Sequence, residues 1–176
     1  MRTEALNAPT LEPQEFVATG EEGTSVWIGP AAIEGMIAAA SAAGRMETGG
    51  ILIGRYGPIG WVADVLEATP QPKGSLAGGA WFQRSNQGLV ELLRQRWEEG
   101  LHYLGEWHYH PHASPAPSCS DLRAMQAIAR DGSYRCPSPL LVIIGGSCAG
   151  WKLSVTLFRN GTTTALVKAA GALPAG

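Results

Sequence analysis

Three stretches of this chain carry apolar residues at helical spacing, and the runs between them have the alternation or the continuous apolar character of strands. Pro30 opens the first helix, in which Ile33, Met36, Ile37 and Ala40 share one face before Gly44 ends it. Leu89, Leu92, Leu93 and Trp97 form a second stripe between about Asn86 and Glu99, closed by Gly100. The third runs from Ser118 to about Arg130, with Leu122, Met125, Ile128 and Ala129 on its buried face and Gly132 after it. Val26 to Ile28 is a short strand, residues 48 to 68 read as a hairpin around RYGPIG, and Leu101 to Trp107 is a further strand. PLLVIIGG, residues 139 to 146, has the composition of a central buried strand. Asn160-Gly161 separates WKLSVTLFR from TTTALVK and suits a two-residue turn, so an antiparallel pair closes the chain. The pattern predicts one α+β domain over residues 16–168, preceded by a poorly ordered segment 1–15 and followed by a frayed tail 169–176.

Composition adds mainly exclusions. A chain of 176 residues with 45% apolar content can bury one substantial core. The net charge of −2, without any run of Lys or Arg, argues against nucleic acid and anionic membranes as partners, which leaves proteins. No apolar run approaches the ~20 residues needed to span a bilayer, and the N-terminus lacks the form of a signal peptide, so the expected location is the cytoplasm. Cys119, Cys136 and Cys148 include no CxxC pair and read as reduced, structural thiols. The Pro- and Gly-rich segment 69–80 reads as a mobile surface loop; it and the following Trp81 and Phe82 are either an ordinary connection with two core aromatics or candidate substrate contacts.

The chemistry concentrates in GEWHYHPHASPAPSCSD, residues 105 to 121. His108 and His110 are two apart at the end of a strand, where alternation points both imidazoles to one face. Such a pair is either a packed, hydrogen-bonded couple or half of a metal site. Asp121 follows a loop punctuated by Pro111, Pro115 and Pro117 and falls three residues after Ser118, on a first helical turn. Ser118 and Asp121 fit a helix cap, and that cap would also aim the carboxylate. Two imidazoles and a carboxylate make a ligand set suited to zinc, with a position left for water. Glu106 shares the face of His108; it is either a carboxylate that orients an imidazole or a surface charge. His102 and His112 are assigned no metal role.

GEWHYHP, a Pro-rich loop and SCSD together resemble the JAB/MPN (JAMM) metalloproteases, whose pattern is His-x-His-Pro, a gap, then Ser-x-x-Asp. Glu47 in METGGILIGRY matches the glutamate that this family carries on an earlier strand, although on its own it reads as an exposed acid. Tyr109 departs from the family's usual Ser or Thr, but its side chain should face away from the metal. The resemblance implies a layered α/β/α fold, with a curved, mixed, mainly antiparallel sheet flanked by about three helices. It implies one Zn2+ per chain, with His108, His110 and Asp121 as ligands, Glu47 as general base and Ser118 as the oxyanion-stabilising residue. The activity implied is hydrolysis of the amide bond after the C-terminus of a ubiquitin-like protein, in a conjugate or a fusion. The compact size resembles bacterial stand-alone members that accompany E1- and E2-like proteins in anti-phage operons. Processing of a sulfur-carrier protein and a metal-free scaffold are the alternative readings. The patterns of nucleoside deaminases and of HExxH proteases are absent.

Overall fold

Alternation along the strands sorts side chains onto the two faces of one sheet, and each face collects its own helices. The computed structural model describes residues 12–19, 23–57, 62–78, 82–147 and 150–170. Trp81, Cys148, most of residues 1–15 and the end of the tail, which carried expectations above, lie outside the described residues, as does the side chain of Phe82. In chain order the elements are β1 (Gln14–Val17), β2 (Ser25–Ile28), α1 (Pro30–Ala43), β3 (Thr48–Tyr56) and β4 (Val62–Ala68). There follow β5 (Leu76–Ala77), β6 (Phe82–Gln83), α2 (Leu89–Glu98), β7 (His102–Pro111) and α3 (Cys119–Arg130). A 3-10 turn over Gly132–Tyr134 leads to β8 (Leu140–Ser147), β9 (Gly150–Arg159) and β10 (Thr162–Lys168).

The expected α+β class and mixed sheet are present, but the sheet is not the open curved one: eight strands close into a barrel in the order β1-β10-β9-β8-β7-β3-β4-β2. The closing piece is β1, which pairs antiparallel with β2 through Phe16↔Val26 and with β10 through Phe16↔Lys168. Without it β2 and β10 would be open edges with unpaired backbone groups. The strand begins at Gln14, two residues inside the segment expected to be poorly ordered. Among the described residues, only β2 with β4 and β7 with β8 run parallel. The main core takes side chains from all eight strands and from the buried face of α1, with Leu52, Leu104, Trp107, Val142 and Ile144 at its centre. On the other face α2 covers Ile51, Ile53 and Tyr103, while α3 sets Met125 against Leu141, Ile143 and Phe158.

The helices follow the apolar stripes with one exception. Trp97, expected to pack on the sheet, is exposed. The last turn of α2 is held instead by its polar edge, where Arg96 Nε donates to Glu67 Oε2 of β4 at 2.7 Å, and the indole is left facing solvent. Asn160 and Gly161 both have positive φ, as a two-residue hairpin turn requires. The segment after β4 is anchored rather than free: Trp107 Nε1 donates to Thr69 O at 2.9 Å, and Thr48 Oγ1 to Gln71 Oε1 at 2.9 Å. Among the described residues, no helix is long and apolar enough to cross a membrane.

A bulge in β7 sets which residues face α3. Leu52 pairs with Gly105 and Ile53 with Tyr103, so Leu104 is skipped and the parity of the strand changes. Leu104, Trp107 and Tyr109 therefore enter the main core, while Glu106, His108 and His110 share the opposite face. Gly105 permits this with φ of 144°; a Cβ there would lie 1.9 Å from Leu140 O. Gly105→Ala should lower unfolding stability by about 3 kcal/mol or more, read as a shift in the urea midpoint; an unchanged midpoint would contradict the close approach.

Candidate active site

The histidines lie on a buried strand and the carboxylate on a capped helix, and these two facts bring them together. Ser118 ends the proline-punctuated loop as N-cap of α3: its Oγ accepts from Asp121 N at 3.2 Å, and Asp121 Oδ2 accepts from Ser118 N at 2.7 Å. This reciprocal capping box fixes the first turn of α3 and turns the carboxylate back toward β7. Asp121 Oδ1 then lies 3.0 Å from His108 Nδ1, and Oδ2 lies 3.5 Å from His110 Nε2. Ser118 Oγ also donates to Oδ2 at 2.6 Å, so its hydroxyl is committed to Asp121 in this state. Tyr109, between the histidines, does face away, packing edge-on against Trp151 and donating to Gly44 O at 3.0 Å.

Glu47 immediately precedes β3, next to β7 in the sheet, where Thr48 pairs with Tyr109. Its backbone N–H donates to Gly78 O at 2.8 Å, so the segment between β4 and α2 borders the site. Its carboxyl is close enough to feel His110, Asp121 and His108. Burial raises its pKa and the negative charge of Asp121 adds to this, against the opposing pull of the histidines.

The other groups are tuned by one another. For His108, burial disfavours the cation, but Asp121 and Glu106 outweigh it and push the pKa up to about 9. The hydrogen bond to Asp121 likewise raises His110, with burial opposing. Burial acts to raise Asp121 too, yet His108, His110 and Ser118 hold it far below the usual carboxylate range. Three donors therefore converge on one place, with Asp121 3.0 Å from His108 and 3.5 Å from His110. As they stand, no group of three or more His, Cys, Asp or Glu among the described residues is arranged so that it could hold a metal ion. The donor types, two imidazoles and a carboxylate with a fourth acid alongside, fit a divalent zinc-type ion, which would have to enter between them and displace any proton they share.

Glu106 is 6% exposed, which removes the surface-charge reading and leaves the one of a carboxylate beside His108. Its partner Arg84, whose Nε donates to Oε1 at 2.9 Å, was not foreseen. Nothing in the spacing around Arg84 marks it, because the contact joins a loop to a strand. His102 and His112 are exposed and apart from the cluster. Cys136 is buried against Tyr56, whereas Cys119 is exposed at the start of α3.

The family described as prokaryotic homologs of the JAB domain matches residues 30–156 of this chain. The chain belongs to that family. This JAB domain is 45% identical, over 160 residues and 89% of both chains, to the CD-NTase/cGAS isopeptidase of Enterobacter hormaechei subsp. hoffmannii. It is 28% identical over 139 residues to the probable metalloprotease y4qB of Sinorhizobium fredii, covering 72% of this chain and 79% of that protein. Among solved structures it resembles protein DSY2949 of Desulfitobacterium hafniense, with a TM-score of 0.61 and 22% identity over 78% of this chain and 87% of that one. That last likeness is one of fold.

The capping box makes a separable prediction for this JAB domain. Ser118→Ala removes both the cap and the hydroxyl on Asp121, and should lower stability by about 1–2 kcal/mol in urea denaturation of the metal-free protein. Ser118→Thr, which keeps the hydroxyl, should stay near the wild type. Equal midpoints for all three proteins would mean that the cap does not hold the turn.

Proposed function

We propose that this JAB domain is a zinc-dependent isopeptidase that cleaves the amide joining the C-terminus of one protein to another. The observation that carries this reading is the His108–His110–Asp121 cluster on β7 and α3, with Glu47 one residue before the Thr48 that pairs with Tyr109 on the neighbouring strand. The 45% identity to a CD-NTase/cGAS isopeptidase supports the same bond type. The name of that relative also points to a CD-NTase as one of the proteins joined by such an amide. A ubiquitin-like protein in the same position is the related substrate that the motif resemblance implies.

His108, His110 and Asp121 would hold the ion. The chemistry that zinc supplies when bound is Lewis acidity toward a water molecule and toward the carbonyl under attack. Glu47 takes the proton of the attacking water and returns it to the departing amine, a role its place beside the cluster at the start of β3 allows. Ser118 donates to the oxyanion, a role for which its proton must leave Asp121 Oδ2. The segment from Thr69 to β6, which borders Glu47 through Gly78, is assigned to contacts with the substrate tail.

The test uses two fusions, a CD-NTase and ubiquitin, each joined at its C-terminus to a reporter. The wild type should release the reporter from the CD-NTase fusion. Glu47→Gln should keep its zinc and lose turnover at least about 100-fold. Wild-type turnover in that variant would remove the role given to Glu47, and failure of the zinc-loaded wild type on both fusions would contradict the isopeptidase reading. Cleavage of the ubiquitin fusion alone would move the substrate to ubiquitin-like proteins.

A further inference from the structure

Behind His108, on the side away from Asp121, stands a buried ion pair that the proposed chemistry does not use. Arg84, between β6 and α2, and Glu106 of β7 have side chains only 9% and 7% exposed. Arg84 places both Nε and Nη2 on the same oxygen, Glu106 Oε1, at 2.9 and 2.8 Å. The guanidinium is fixed from its other edges by Asn86 Oδ1 at 2.8 Å and Tyr134 OH at 3.3 Å. With Oε1 held in this way, Glu106 Oε2 faces His108 Nε2 at 3.9 Å, while Nδ1 of the same ring faces Asp121. The four side chains thus stand in the order Arg84, Glu106, His108, Asp121.

A buried ion pair is a poor source of stability compared with apolar side chains of the same volume, so stability alone is a weak reason for this one. Its placement suggests another. A carboxylate beside the second nitrogen of a ligating imidazole fixes the ring and raises its basicity as a ligand. Arg84 also terminates the segment that reaches Glu47 through Gly78, so one stretch of chain borders both the general base and the support of a ligand.

We propose that Arg84 and Glu106 are positioning residues of the metal site: Arg84 fixes the Glu106 carboxylate, which holds the His108 ring with Nδ1 toward Asp121, ready for a divalent cation. This inference rests on the zinc reading above. Because the two residues act in series, removing either should cost about as much as removing both.

The experiment measures zinc affinity by chelator competition for the full-length wild type, Arg84→Met, Glu106→Gln and the double variant, with melting of each metal-free protein as the check on folding. The double variant leaves no unpaired buried charge, and Glu106→Gln keeps the shape of the side chain. All three should bind zinc about 10- to 100-fold more weakly than the wild type and by similar factors. The visible absorption of their Co2+ forms should also change, which a loss of stability alone would not produce. Wild-type affinity in any cooperatively melting variant overturns the proposal, as do losses that multiply in the double variant. No zinc uptake by the wild type overturns both this inference and the zinc reading beneath it.

Discussion

The Asp121 carboxylate is the point on which the site depends. It is 9% exposed and is bonded to the N–H and hydroxyl of Ser118 while facing both imidazoles of β7. A buried carboxylate so placed stays ionised only while it has partners, and here they come from two separate pieces of chain. The strand supplies the histidines and the loop before α3 supplies the cap. If α3 started one residue later, the carboxylate would point elsewhere and both imidazoles would lose it as a partner.

The frame that makes this meeting possible is rigid. β7 lies between β3 and β8; His108 is paired on both sides, with Gly49 and Ile143, and His110 with Gly145 of β8. The bulge at Gly105 turns Glu106, His108 and His110 toward α3 while Trp107 and Tyr109 fill the main core. Catalytic geometry requires this kind of support, since a ligand on a mobile loop would pay an ordering cost at every binding event. The segment between β4 and α2 is joined to the frame at both ends, through Thr69 to Trp107 and through Arg84 to Glu106.

Most of the elements were legible because their signal is local. Pro30 and Gly44 bracket α1, Asn160-Gly161 turns β9 into β10, and the branched run 140–144 is the buried part of β8. The barrel was not legible: β1 is four residues long, too short to show a period, and its closing role depends on β10 at the far end of the chain. Trp97 misled because helical spacing reports which residues share a face, and a salt bridge at the edge of α2 decided how far that face reached. Within the site, His108, His110, Ser118 and Asp121 lie close enough in sequence to read as one motif. Glu47 on its own reads as a surface acid, and only the motif resemblance marked it. Arg84 left no mark, since its importance comes entirely from a contact made in three dimensions.

Whether Asp121 completes a metal site can be read from elemental mass spectrometry of protein purified without added metal. About one zinc per wild-type chain is expected, with a sharply reduced content in Asp121→Asn. Absence of zinc from the wild type, even after reconstitution, would contradict it.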